Sequence, residues 1–475
     1  GIRDLIVTGV QTCALPISVI TQSKRSKKLR QPPNYAPGKN QMFLYYLRLS
    51  ALSYRRNPIL SSLMVMAVAI GVGAYMVIFT LNFVMGGDPI PQKSDQLFHV
   101  QLDSGNPNTQ DDPPVQLTYL DATALIQAKS AYRETATSKI SGILEPEGDG
   151  IRPFSIAGRG AFADFFPMFN TPFLYGDGWD QSADRDLQQV AVLSKELNER
   201  LFGGADSTGE TVLLHGNNFQ IVGVLDDWAP VPKFYDINNG AFDGSEEIFI
   251  PWNLIIPLEF PRSGNTNCWK TPEAGPDGYL NSECVWIQYW VELRSSDDEA
   301  EYLQFLNNYT AEQNEFGRFP REMNNALFDV EEWLMKEEVL PNETKILSAL
   351  AAMLLAVCLL NTIGLLLSKF LVKSGEIGVR QALGAHKGSL FLQHVIEAGF
   401  IGFLGGILGL AIAAAGLEGV KILLGENLML TDWIHLNPTV VAVTLVLAVL
   451  ATTFPGFYPI CRARRLNPAT HLKTP

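Results

Sequence analysis

The sequence predicts an α-helical membrane protein with four transmembrane helices and a large mixed α/β extracytoplasmic domain between the first and second helices. Three observations predict it: four apolar stretches of membrane length, a steep segregation of charge, and strand-and-turn patterning confined to the middle. The 475 residues carry a net charge of −13, but unevenly. Gly86–Thr344 holds 43 acidic and 16 basic residues, while the rest of the chain holds 20 basic and 6 acidic. Two environments follow from that asymmetry rather than one acidic surface. The acidic region would also repel phosphate, which argues against a nucleic-acid partner.

The four stretches reach or approach the ~20 residues that cross ~30 Å of hydrocarbon. Pro58–Phe83 holds no charge, and Ile346–Val372 is broken only near its end by Lys369. The third span, Ile396–Leu417 with its helix carried to 424, is bounded by Glu397 and Glu418. The fourth, 439–461, is uncharged but holds Pro455 and Pro459 near its exit. Basic residues cluster from Lys24 to Arg56, from Lys369 to Lys387, and from Arg462 to Lys473 in the 462–475 tail. Four spans put all three clusters on one side. The positive-inside rule makes that side the cytoplasm, with both termini, and places residues 86–344 outside it. The localisation expected is the bacterial inner membrane.

Residues 1–18, GIRDLIVTGVQTCALPIS, resemble translated sequencing-adapter DNA and are set aside as non-native. A secretory signal is the rival reading, but no basic stretch precedes a sustained apolar core. A start is expected at Met42 or within Ser23–Asn40. In the 19–57 segment, Phe43, Tyr46, Leu47, Ala51 and Tyr54 recur at helical spacing. That spacing predicts an amphipathic helix in the cytoplasmic interface, or an extension of the first span.

Within the domain, Val190–Leu193 reads as a strand and Lys195–Phe202 as a helix ended by Gly203-Gly204. Thr211–Leu214 and Gln220–Leu225 flank His215-Gly216-Asn217-Asn218, a hairpin signal. Val285–Leu293 is strand-like, and Ser296–Phe316 and Asn325–Lys336 have helical spacing. Gly105–Pro114 and Thr266–Asn281 read as loops. Cys268 and Cys284, sixteen apart, are either one disulfide worth ~3 kcal/mol or two free thiols.

Signatures of catalysis are lacking. The six histidines form no HExxH, there is no GxSxG and no Cys/His metal spacing, and Gly158-Arg-Gly160 and Gly176-Asp-Gly178 lack a third glycine. Gly204–Thr211 matches GxxxxG but puts Glu210 where a phosphate loop needs lysine, so it reads as a turn into a strand. No catalytic residue and no bound metal or cofactor is expected on this chain.

Three segments then carry a family resemblance. SGEIGVRQALGAHK (374–387) is similar to the EIGxRxAxGA pattern that follows the second span in the MacB/FtsX permease family. PICRARRLNPATHLK (459–473) is similar to that family's C-terminal ending. VLSKELNERLFGG (192–204), continuing to FQIVGVL (219–225), resembles its MacB-like periplasmic core domain. MacB itself carries a fused N-terminal ATPase, which is not expected on this chain. The FtsX branch usually has a smaller outer domain, so the large one here favours the MacB-like branch. The resemblance implies a permease paired with a second copy or a paralogue, and a separate cytoplasmic ABC ATPase that holds ATP and Mg. A periplasmic adaptor and an outer-membrane duct are implied by the MacB-like branch alone. The motion of the ATPase would pass to the outer domain and drive efflux. A membrane-anchored sensor, or a regulator of cell-wall hydrolases of FtsX type, is the alternative.

On that resemblance, 373–395 is the ATPase-coupling segment. Ile377, Val379, Ala382, Leu383 and Ala385 supply apolar contact, Glu376 and Arg380 fix its angle at i,i+4, and Gly378 and Gly384 permit close approach and a helix end. In the third span Gly402, Gly405, Gly406 and Gly409 give overlapping GxxxG spacings for helix packing. Asn361 should bond to a neighbouring helix, because an unpaired polar group in hydrocarbon is costly. Glu397 should snorkel at the membrane face. Pro341-Asn342 should interrupt any continuous stalk into the second span.

Overall fold

The computed structural model describes residues 39–372 except 110 and 147–151, then 379–380, 383–384 and 386–424, with short pieces at 441–442, 445–446, 448–450 and 452–453. The 1–18 segment and the 462–475 tail lie outside the described residues, as does most of the 439–461 span. Three described helices are long and apolar enough to cross a membrane.

Helix α1 (Lys39–Arg56) stops at Asn57, whose backbone (φ −131°, ψ 67°) leaves the helical region, and α2 (Pro58–Met85) begins on a proline. A proline there loses no backbone hydrogen bond, because the first N–H groups of a helix have no partner in it. The residues before the first span are thus a helix of their own and not its extension. On α1, Tyr46, Ser50 and Ser53 are buried, while Phe43 and Ala51 face outward.

The chain then builds the α/β domain. It runs through β1 (Leu97–Gln101), β2 (Leu117–Thr118), α3 (Tyr119–Ala128), β3 (Arg133–Glu145), β4 (Phe154–Ala161), α4 (Phe165–Met168), β5 (Phe173–Gly176) and α5 (Gln181–Arg185). There follow β6 (Val190–Leu193), α6 (Lys195–Phe202), β7 (Thr211–Leu214), β8 (Asn217–Leu225) and β9 (Ile248–Pro251). The last part is β10 (Asn267–Cys268), α7 (Pro276–Leu280), β11 (Cys284–Glu292), α8 (Ser296–Glu315), β12 (Ala326–Asp329) and α9 (Val330–Lys336). Two long helices close the described chain, α10 (Asn342–Val372) and α11 (Lys387–Leu424).

One sheet organises the domain, in the order β12-β1-β11-β3-β4-β9-β6-β8-β5, with β7 bridging β3 and β8. Pairing is antiparallel except β4 with β9 and β6 with β8. Strand β11 is buried along its whole length. Its alternating side chains serve two cores: Tyr289 and Val291 enter one cluster, Trp290 the other, as the period of two requires. Local sequence explains the boundaries. Ser194 accepts the Leu197 N–H to start α6, and Gly203 at φ 64° ends it. His215 and Gly216 both take positive φ in the β7–β8 turn, as a two-residue hairpin connection needs.

Two readings change. Asn325–Lys336 is not one helix: Ala326–Asp329 pairs with β1, and the helix starts only after Asp329, whose carboxylate caps Glu332 N–H. Sheet pairing overrode a helical spacing too short to decide. Thr266–Asn281 contains β10 and α7, and Cys268 and Cys284 face each other across β10 and β11 as a disulfide. The approach to α10 is interrupted, as expected, since α9 ends at Lys336 and α10 starts at Asn342.

His99 lies in the aromatic core, stacked on Trp333 at 3.6 Å between centroids and edge-on to Trp290 at 5.3 Å. Burial lowers its pKa to about 3. A depressed folded-state pKa gives stability that is full above the unfolded value of ~6.5 and is lost as pH falls toward 3. Wild type should therefore lose about 2 kcal/mol more than His99→Phe between pH 7 and pH 5, measured by denaturant unfolding of the full chain in detergent. Replacing Cys268 and Cys284 by serine should lower stability by about 3 kcal/mol at neutral pH, and reduction of the wild type should reproduce the loss.

Candidate functional site

The connector between α10 and α11 holds the expected coupling residues. Glu376, Ile377, Gly378, Ala382 and Ala385 lie outside the described residues. Val379 and Leu383 are joined by a helical hydrogen bond, Leu383 N–H to Val379 O at 3.0 Å. Both are uncovered, 49% and 83% exposed. Gly384 follows at φ 94°, a backbone angle that favours glycine. Arg380 is half-buried, and its Nη1 donates to Gln393 Oε1 on α11 at 3.5 Å. The connector thus presents an i,i+4 apolar pair on a short turn, with the arginine anchored to the neighbouring helix.

Beneath the connector lies a polar cluster that sequence reasoning missed. Lys369 Nζ sits 2.8 Å from Glu397 Oε1, with both side chains nearly inaccessible. Ser53 of α1 donates to Glu397 Oε1 at 2.5 Å, Lys369 donates to Ser61 of α2 at 3.3 Å, and His394 Nδ1 lies 3.6 Å from Glu397 Oε2. Glu397 therefore does not snorkel. It is buried against a lysine from the preceding span, and the cluster ties α1, α2, α10 and α11 together. Lys369 and Glu397, the charges that mark the ends of two apolar stretches, were the signal that could have found it.

Higher in the bundle, small residues set the spacing. A methyl group on Gly405 would lie 2.7 Å from Val68, and one on Gly409 would lie 3.0 Å from the Ala69 carbonyl oxygen, so this face of α11 meets α2. Gly402 and Gly406 face Ala448, and a methyl on Gly402 would overlap Thr452. Asn361 departs from expectation. It is exposed, and its amide has no partner among the described residues.

At the other end, the 226–246 loop of the domain touches the helices. Val231 and Phe242 pack against Leu417 of α11, as do Val77 and Leu81 of α2. The same loop is pinned from within by a buried network. Arg159 of β4 pairs with Asp236 and Glu246, Lys233 Nζ lies 2.8 Å from Glu246 Oε1, and Tyr235 donates to Glu246 Oε2 at 2.9 Å. Burial alone would raise Glu246, but Arg159 and Lys233 hold its carboxyl well below the usual range. The loop is therefore a rigid foot of the domain, standing on two helix ends.

A separate cleft of about 470 Å³ opens in the domain among Tyr132, Arg133, Glu134, Asp164, Asp184 and Arg185. Burial pushes Glu134 up to about 7, against a hydrogen bond from Tyr289, and Asp184 up to about 6. Its mixed charges select no single ligand class.

A helical bundle with a folded domain in its first loop and an apolar-tipped connector at its far end has the construction of an ABC transporter permease. The chain belongs to the family of the MacB-like periplasmic core domain, whose model matches residues 61–306, and the FtsX-like permease C-terminal domain matches 346–468. A pyoverdine export ATP-binding/permease protein, PvdT of Pseudomonas putida, is 22% identical over 421 residues, covering 88% of this chain and 57% of that protein. The macrolide export ATP-binding/permease protein MacB of Salmonella typhi is 23% identical over 452 residues, covering 92% and 62%. The chain spans about half the length of the curated relatives it matches. The crystal structure of the periplasmic region of MacB from Actinobacillus actinomycetemcomitans aligns with 52% of this chain and 95% of its own, at 14% identity and a TM-score of 0.34.

Removing one partner of a buried ion pair strands the other charge, at a cost of about 3–5 kcal/mol, whereas replacing both by apolar groups is often near neutral. Lys369→Met should therefore destabilise the detergent-solubilised protein severely. The double variant Lys369→Met/Glu397→Leu should recover most of that loss in thermal unfolding.

Proposed function

We propose that this chain is the permease subunit of an ABC exporter. ATP, with Mg, is hydrolysed on another chain, a cytoplasmic ATPase that grips the 379–384 turn, and the motion passes through the bundle to the domain outside. The N- and C-termini and the connector then face the cytoplasm, in keeping with the basic residues that flank the spans. The family's permeases imply a paired assembly, with a second copy or a paralogue completing it. A periplasmic adaptor and an outer-membrane duct are the further partners that a MacB-like exporter would use.

The observation that carries this reading is the uncovered Val379–Leu383 pair at the tip of the connector. Two apolar side chains held four apart on one turn, beside an anchored arginine, suit a groove on a partner protein and serve no purpose in water. The foot of the domain supports it from the other side. Val231 and Phe242 against Leu417 give displacement of the helix ends a route into the domain. The relatives' names describe export of pyoverdine and of macrolides, which favours export over regulation of cell-wall hydrolases. Those substrates differ so much in chemistry that no substrate is assigned.

Leu383→Asp leaves the fold untouched, since the side chain is exposed, and should reduce co-purification of a P-loop ATPase by tenfold or more. Arg380→Glu should do the same. Pull-down from native membranes reads both. Wild type that recovers no P-loop ATPase, or variants that recover as much of it as wild type, would sink the proposal.

A further inference from the structure

Between Lys345 and Val372, Lys369 is the one lysine, arginine or carboxylate of α10; between Lys387 and Glu418, Glu397 is the one of α11. The two meet at 2.8 Å, with 3% and 4% of their side chains exposed. Stability alone does not account for them, because a well-packed apolar pair at a buried site is often as stable as an ion pair. What the ion pair adds is direction. It forms in one relative placement of the two helices, whereas apolar side chains of suitable volume repack and tolerate sliding.

That placement lies on a line of contacts from the connector to the domain. Arg380 of the connector donates to Gln393 of α11. One turn farther along α11 is Glu397, tied to α10 through Lys369 and to α1 through Ser53, while Lys369 reaches Ser61 of α2. Helix α11 continues without a break to Leu424. On it Leu417, about 30 Å of helix rise beyond Glu397, is where Val231 and Phe242 of the foot loop pack. Between those two points Gly405 and Gly409 bring α11 close against α2. Helix α10 offers no such line, since residues 337–341 at its outer end are not helical.

We propose that Lys369 and Glu397 are positioning residues for coupling: their ion pair fixes α11 against its neighbours, so that displacement of the 379–384 turn is delivered along α11 to Val231 and Phe242. The inference rests on the ABC-exporter reading. It adds to that reading the helix that carries the motion and the pair that keeps it from slipping.

The test is amide hydrogen exchange, read by mass spectrometry on the full chain in nanodiscs with the ATPase that co-purifies with it. On going from ADP to ATP, Mg and vanadate, the 379–384 turn and the 226–246 loop of wild type should both change exchange rate roughly threefold or more. In Lys369→Met/Glu397→Leu the turn should respond as in wild type, while the change at the loop should shrink roughly threefold. Ser53→Ala/Ser61→Ala, which leaves the pair whole and strands no charge, should shrink it about twofold. Lys369→Arg keeps the charge and should preserve the response. A loop that responds fully in both the apolar pair and the serine variant overturns the assignment. So does a loss of response that merely follows a fall in Tm across the variants, which is what a purely structural pair would give. If the wild-type turn responds and the loop does not, the assignment falls and the exporter reading survives. If the wild-type turn does not respond, both fall.

Discussion

The ion pair between Lys369 and Glu397 constrains the bundle more than any other contact. Neither charge could remain buried without the other, because an uncompensated ion in a low-dielectric site costs several kcal/mol. The pair therefore fixes the lower ends of α10 and α11 together. Hydrogen bonds to Ser53 and Ser61 extend that constraint to α1 and α2. The connector leaves the bundle next to this knot, so its two ends are held a set distance apart. A connector on loose ends would absorb a partner's motion; on tied ends it must move with the bundle. Glycine packing between α11 and α2 stiffens the same pair of helices farther along.

Much of this fold was legible in the sequence. Local signals with a single physical cause gave Val190–Leu193, Lys195–Phe202 and the hairpin around His215-Gly216, because caps and positive-φ turns are written in one or two residues. Hydropathy gave the three long helices. The long-range strands β3 and β4 were not read, since their partners are distant in sequence and their burial comes from the sheet rather than from a local period. Asn325–Lys336 failed for the same reason: four residues that pair with β1 look helical until β1 is present.

The candidate site was legible in a different way. Motif resemblance pointed to the connector, and Val379, Arg380, Leu383 and Gly384 stand in it as a turn. The polar knot was not read, because Lys369 and Glu397 are nearly thirty residues apart and each taken alone is a charge at a membrane face. Asn361 misled for a related reason. Its polarity announced a partner helix, but among the described residues its side chain is exposed and meets none. The buried network of Arg159, Lys233, Asp236 and Glu246 was equally hidden in a region whose excess of carboxylates suggested a solvated surface.

The gap between α9 and α10 has a mechanical consequence. With Glu337–Pro341 non-helical, α10 cannot serve as a piston rod, since thrust along its axis would buckle at that elbow. Across the way α2 ends at Gly86, which lies beside Leu340 of the elbow, so both strands of chain entering the domain are non-helical at the same level. What remains stiff is the lateral bearing of Val231 and Phe242 on the helix ends. Were the helix ends displaced as proposed, a domain mounted in this manner would tilt like a rocker on its fulcrum, and the far edge of its sheet would sweep through a larger arc than the helices beneath it.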